Sequence, residues 1–95
     1  MPVRPIVWTQ TACDEFREAI AYLASENSDA AAHVAFKVKE LVESLATAPA
    51  GRPGRAAGTY EKSMPGLFYV TYTINSPAEG VENIVILRVM HGSRG

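Results

Sequence analysis

Apolar and polar positions along this chain follow two rhythms, a helical one in the first half and an alternating one in the second. Val3 to Thr9 reads as a short strand: Ile6 and Trp8 alternate with Val7, and Pro5 argues for an edge position or a strand start. Ala12, Phe16, Ala19, Ile20 and Leu23 then recur at helical spacing, predicting a helix through Leu23 or Ala24. Thr9 or Thr11 can cap it, and Thr11 with Asp14 three residues on has the form of a capping box. Glu26-Asn27-Ser28-Asp29 breaks the pattern, with Asn27 or Ser28 able to cap a second helix. Val34, Val38, Leu41, Val42 and Leu45 mark the apolar face of that helix, and Pro49 stops it. Helices joined by so short a link lie antiparallel, as a helical hairpin.

From Ala50 the pattern changes. Gly51, Pro53, Gly54 and Gly58, with Arg52 and Arg55, predict an irregular basic loop. Thr59 to Lys62 reads as a short strand, and Met64-Pro65-Gly66 as a turn. Leu67 to Ile74 alternates cleanly, with Phe68, Val70, Tyr72 and Ile74 on one face and Tyr69, Thr71 and Thr73 on the other. Asn75 to Gly80 is a hairpin loop. Val81 to Met90 is apolar on both faces over Ile84 to Leu87, which suits a central strand. The order β-α-α-β-β-β predicts an α+β fold, the helical hairpin packed on one face of a mostly antiparallel sheet. The other face is then open, with Tyr69, Thr71, Thr73 and Arg88 placed toward it and suited to a partner.

Composition narrows the class. Ninety-five residues form one domain, 1–95, and 47% apolar residues are enough for one core, which excludes disorder. The net charge of −1 excludes a general nucleic-acid binder, but its distribution is uneven. Residues 1–48 carry four Lys/Arg against seven Asp/Glu, and residues 49–95 five against three. A surface facing an anionic partner therefore belongs to the second half. The single cysteine, Cys13, has no partner for an internal disulfide and reads as a small buried apolar group. No signal peptide is visible, and no apolar run approaches the roughly 20 residues of a membrane span. The expectation is a soluble, cytoplasmic protein with no membrane association, no metal and no cofactor.

Candidate chemistry gathers at two places. Gly51-Arg52-Pro53-Gly54-Arg55 puts two guanidinium groups on a tight loop, and Ile86 to Arg94 ends an apolar strand in Arg88, His91 and Arg94. The glycine loop lacks the Lys-Ser/Thr pair of a phosphate-binding loop. His33 reads as solvated, Tyr22 as packed, and Trp8 as the anchor of the first strand against the helices. His91 suits proton transfer near neutral pH and Arg94 suits a phosphate. With Arg52, Arg55, Lys62 and Arg88 they form a candidate site for RNA cleavage by 2′-OH attack, although only one histidine is nearby. The alternative is that His91 and Arg94 bond the sheet end to the arginine loop or to backbone carbonyls.

Five segments stand in order along nearly the full length: Ile6-Val7-Trp8-Thr9 with Ala12 and Phe16; Ala19-Ile20-Ala21-Tyr22-Leu23; Leu45, Pro49 and Gly51 to Arg55 with Gly58-Thr59-Tyr60-Glu61; Leu67 to Tyr72; and Ile86 to Arg94. Together they resemble the ParE/RelE superfamily of toxins from type II toxin–antitoxin systems. The Gly-Arg loop and the His-Gly-Ser-Arg ending favour the ParE branch. That resemblance implies a toxin that inhibits DNA gyrase by protein contact, carries no nuclease site and is neutralised by a cognate antitoxin. It also implies that the antitoxin wraps the helical hairpin and the open sheet face, and it makes Arg52, Arg55, Tyr69, Arg88, His91 and Arg94 the residues that bind the target or the partner. The RelE branch implies instead a ribosome-dependent mRNA endoribonuclease using Arg52, Arg55, Lys62, Arg88, His91 and Arg94. Against that branch, residues 91–95 hold no Tyr and Lys is sparse in the middle segment. A third possibility within the superfamily is an antitoxin-binding member that has lost toxicity.

Overall fold

The computed structural model describes residues 3–49, 51–64 and 68–91, His91 by its backbone alone. The chain forms β1 (Ile6–Trp8), α1 (Gln10–Glu26), α2 (Ser28–Ser44), β2 (Arg52–Pro53), β3 (Tyr60–Ser63), β4 (Phe68–Asn75) and β5 (Asn83–His91). The strands make one sheet in the order β1-β5-β4-β3-β2. β1 runs parallel to β5, and every other pair is antiparallel. This is the expected α+β arrangement, with one strand more than the pattern of residues indicated. Both outer strands are short, and each has a proline at or just before it, which blunts the sheet edges against further pairing.

Local chemistry sets the helix boundaries. Thr9 is the cap of α1, extended in backbone, its hydroxyl oxygen accepting from the Ala12 N–H at 3.1 Å. The expected Thr11–Asp14 box is not formed: both residues lie inside the helix, and Asp14 accepts instead from the Gln10 side chain at 2.8 Å. α1 runs on to Glu26, past the last apolar position of its stripe. Asn27 alone joins the helices. Its N–H donates to the Leu23 carbonyl at 2.8 Å, and its side-chain oxygen accepts from the Ala30 N–H at 3.0 Å. One extended residue thus ends α1 and starts α2, which folds the two helices back on each other.

The core lies between the hairpin and one face of the sheet. Ala12, Val34, Val38, Val42 and Leu45 meet Phe68, Val70, Tyr72, Ile84, Ile86 and Val89 there. Fully buried side chains such as Phe68, Leu45, Ile84 and Ile86 each contribute about 1.5–3 kcal/mol relative to exposure. In β4 the buried positions alternate as expected. In β5 they fall at Ile84, Ile86 and Val89, a step of two and then of three. A β-bulge accounts for the break: Tyr72 faces Ile86, Thr71 faces Arg88, and Leu87 is the extra residue. Strict alternation would place Arg88 on the core side with Ile84 and Ile86. The bulge turns it to the open face and brings Val89 into the core.

Three side chains depart from expectation or refine it. Tyr22 does not pack; it is 68% exposed on α1. Cys13 is half-buried rather than buried. Trp8 does anchor β1 against the helices, its ring centroid 5.6 Å from that of Phe16. The expected turn at Met64-Pro65-Gly66 lies largely outside the described residues, although the Met64 N–H donates to the Phe68 carbonyl at 2.7 Å across it. Among the described residues no helix is long and apolar enough to cross a membrane.

Candidate functional site

The open face of the sheet carries the basic loop. Gly54 N–H donates to the Thr59 carbonyl at 2.8 Å, and the Thr59 N–H and hydroxyl both return to the Ala56 carbonyl, at 3.2 and 2.6 Å. Thr73 ties the loop down by donating to the Gly58 carbonyl at 2.8 Å. A side chain at Gly54 would put its Cβ 2.4 Å from the Thr59 hydroxyl oxygen, so this close turn requires glycine. The folded loop holds Arg55 over the sheet, between two adjoining recesses. One, about 560 Å³, is bounded by Arg52, Arg55, Glu61, Ser63 and Tyr69. The other, about 360 Å³, is bounded by Arg55, Tyr69, Thr71, Leu87, Arg88 and Met90.

The structure therefore brings together Arg52, Arg55, Tyr69 and Arg88. Their charges are answered unequally. Arg52 is largely exposed and stands 3.8 Å from Glu61, a loose pair that contributes little. Arg55 has no ion-pair partner among the described residues. Arg88 is held by Glu15 of α1, its Nε at 2.8 Å and its Nη2 at 2.6 Å from Oε2. The other Glu15 oxygen accepts from the Val89 N–H at 3.0 Å. Burial alone pushes the Glu15 carboxyl up. The Arg88 hydrogen bond, the Val89 N–H and the Arg88 charge outweigh that and hold it below its ordinary range. In turn the Glu15 carboxylate pushes the Arg88 guanidinium further up.

Lys62 does not join this group. It faces Val70 across the β3–β4 ladder, on the helix side of the sheet, and lines a shallow depression with Lys37, Glu40 and Leu41 of α2. The six-residue cluster expected of a ribonuclease is thus divided between two faces. His91 is placed by its backbone opposite Phe68 at the end of β5; its side chain, and Arg94, lie outside the described residues. His33 is exposed on α2, as expected. Among the described residues no group of His, Cys, Asp or Glu is arranged to hold a metal ion.

A second surface was not evident from the residues alone. Between β1 and the hairpin runs an apolar groove of about 640 Å³, walled by Ile6, Trp8, Cys13, Phe16 and Val42 and rimmed by Arg17, Lys39 and Glu43. It exists because the helices stop short of the β1 edge, leaving the helix-side residues Ile6 and Trp8 half covered. Helical spacing shows which face of each helix is apolar. It does not show how far the two helices reach across the sheet.

Comparison with known proteins accords with this geometry. A Sinorhizobium fredii protein named "Putative toxin Y4kP" is 37% identical over 93 residues, covering 96% of this chain and 91% of its own length. Among solved structures, the chromosomal ParDE toxin–antitoxin system from P. aeruginosa aligns with a TM-score of 0.78 at 19% identity, over 94% of this chain and 96% of that one. The RelBE2 toxin–antitoxin complex from Mycobacterium tuberculosis aligns with a TM-score of 0.64 at 24% identity, over 96% and 93%. These two likenesses concern the fold. The family described as "ParE toxin of type II toxin-antitoxin system, parDE" matches residues 6–95, and with that extent of agreement the chain belongs to the ParE toxin family.

Proposed function

We propose that this protein is the toxin of a type II pair, that it inhibits DNA gyrase by protein contact rather than by catalysing a reaction, and that a cognate antitoxin neutralises it. The family match over residues 6–95 carries the reading. The state of Arg88 supports contact over catalysis. A guanidinium that stabilises a transferring phosphoryl group has to offer its charge to the substrate. Here Glu15 already neutralises it, while enough N–H groups stay outward for hydrogen bonding to a protein surface. Arg52, Arg55 and Tyr69 supply the rest of that surface. Arginine and tyrosine are the residue types that dominate protein contacts. The groove along the hairpin suits the apolar anchors of an antitoxin segment, its rim holding two cations against one carboxylate. The whole chain acts as one domain, in the cytoplasm where gyrase is found.

The test is a supercoiling assay with purified gyrase. Stoichiometric toxin inhibits the reaction, and the cognate antitoxin restores it. Absence of inhibition counts against the reading. Expression of the chain alone provides the cellular counterpart, with filamentation, an induced DNA-damage response and intact mRNA expected. Messenger RNA cut at codon positions without a damage response would move the reading to the ribonuclease branch.

A further inference from the structure

β5 outruns the strand beside it. β1 pairs with it over Ile84, Val85 and Ile86, and the chain then leaves at Thr9 to enter α1. Thr9 closes that junction, its N–H and its hydroxyl both donating to the Ile86 carbonyl, at 3.1 and 2.8 Å. Past this point β5 bulges at Leu87. The next N–H on the vacated edge, that of Val89, is taken by the Glu15 side chain. One carboxylate therefore does what a neighbouring strand would do for Val89. With its other oxygen it grips Arg88 by two nitrogens.

The location of this contact is informative. Glu15 lies on α1 but is not among the residues that line the hairpin groove; its carboxylate reaches the edge of β5 instead. Arg88 lies on the open face and lines a recess with Arg55 and Tyr69. An arginine side chain left to itself samples many rotamers, and a partner that uses it has to order it on binding. Glu15 removes that freedom in advance. It occupies Nε and Nη2 and leaves Nη1 as a donor aimed by the grip.

We propose that Glu15 is a positioning residue for target recognition: by holding Arg88 and the Val89 N–H, it presents the outward donors of Arg88 in one geometry to a carboxylate or carbonyl oxygen on the target protein. This rests on the reading that the open face meets the target. The experiment compares wild type with Glu15→Ala and Glu15→Gln. Potency is measured both as inhibition of gyrase supercoiling and as growth arrest on expression of the chain alone. Two-dimensional ¹⁵N spectra report the Arg88 Nε–H, the Val89 amide and folding. Glu15→Ala is expected to lose at least about tenfold in potency and to move the Arg88 Nε–H into fast exchange, with spectral changes confined to its surroundings. Glu15→Gln keeps an oxygen acceptor and is expected to recover potency to within about threefold of wild type.

Full potency in Glu15→Ala overturns the proposal. So does an Arg88 Nε–H already in fast exchange in the wild type. So does a spectrum changed throughout the chain, which would make Glu15 a structural residue only. A wild type that arrests growth but leaves gyrase untouched overturns the gyrase reading alone, with growth arrest then supplying the potency scale. A wild type inert in both assays overturns both.

Discussion

Gly51 shows how closely the arginine loop is fitted to the sheet. A methyl group there would stand 2.6 Å from the Glu61 carbonyl oxygen and 3.1 Å from the Tyr72 hydroxyl. The carbonyl belongs to β3 at the position paired with Arg52, so it cannot turn aside without breaking the β2–β3 ladder. Tyr72 cannot yield easily either. Its side chain is buried and its ring stacks on Tyr60 at a centroid distance of 5.5 Å. Burial, and then the neighbouring Tyr60, push its phenol pKa up from the ordinary tyrosine value. Gly51→Ala is therefore expected to cost about 1–3 kcal/mol, the range for overpacking a fitted site. In a chain of this length each kcal/mol lowers Tm by about 4–8 °C. A thermal melt followed by circular dichroism measures it, and an unchanged Tm would show that β2 yields freely. Because β2 carries Arg52, the same variant should also loosen the arginine loop from the open face.

At the scale of elements, the bulge in β5 determines which residues the open face can display. Leu87 is the extra residue, so its deletion would leave Arg88 opposite Thr71 on the open face and Val89 opposite Val70 in the core. The deletion variant should therefore fold with the same faces buried and exposed. Circular dichroism and size-exclusion chromatography check this. An unfolded or aggregated variant would show that the bulge does more than set the register. This element also shows what a sequence reveals and what it conceals. β4 was legible because its faces differ in polarity, so alternation identifies the buried side. β5 is apolar on both faces over Ile84 to Leu87, so a shift in register leaves no trace in hydrophobicity, and alternation alone does not give the side that Arg88 takes. Similarly, two threonines stand near the start of α1, and only their backbone geometry reveals that Thr9 is the cap. The two-residue β2 is too short to have a period. The hairpin was legible throughout, since Asn27 stands between two long apolar stripes. Lys62 was grouped with the arginines by type, and the β3 register places it on the other side of the sheet.

The whole molecule presents two surfaces on opposite sides of one sheet, and their charges suit separate partners. The hairpin groove has apolar walls and a rim of Arg17, Lys39 and Glu43; the open face has Arg52, Arg55 and Arg88 around Tyr69. If the antitoxin anchors in the groove and the target meets the open face, the two activities should separate by mutation. Arg17 and Lys39 are exposed, so Arg17→Glu with Lys39→Glu should leave the fold intact. The pair reverses the sign of the rim and is expected to weaken antitoxin binding by at least about tenfold, most strongly at low salt. Gyrase inhibition by the same protein should stay near the wild-type level, and the antitoxin should no longer relieve it at stoichiometric amounts. Arg52→Ala with Arg55→Ala should do the reverse: gyrase inhibition falls, while antitoxin affinity changes by a few-fold at most, because an extended segment crossing the open face would gain little from two solvated arginines. Calorimetric titration of the antitoxin and supercoiling inhibition, run on the wild type, the two double variants and their quadruple combination, measure both activities side by side. If each pair reduced both activities equally, antitoxin and target would be competing for one continuous surface, and neutralisation would work by direct occlusion of the arginines. If the effects separate, neutralisation acts from the far side of the sheet.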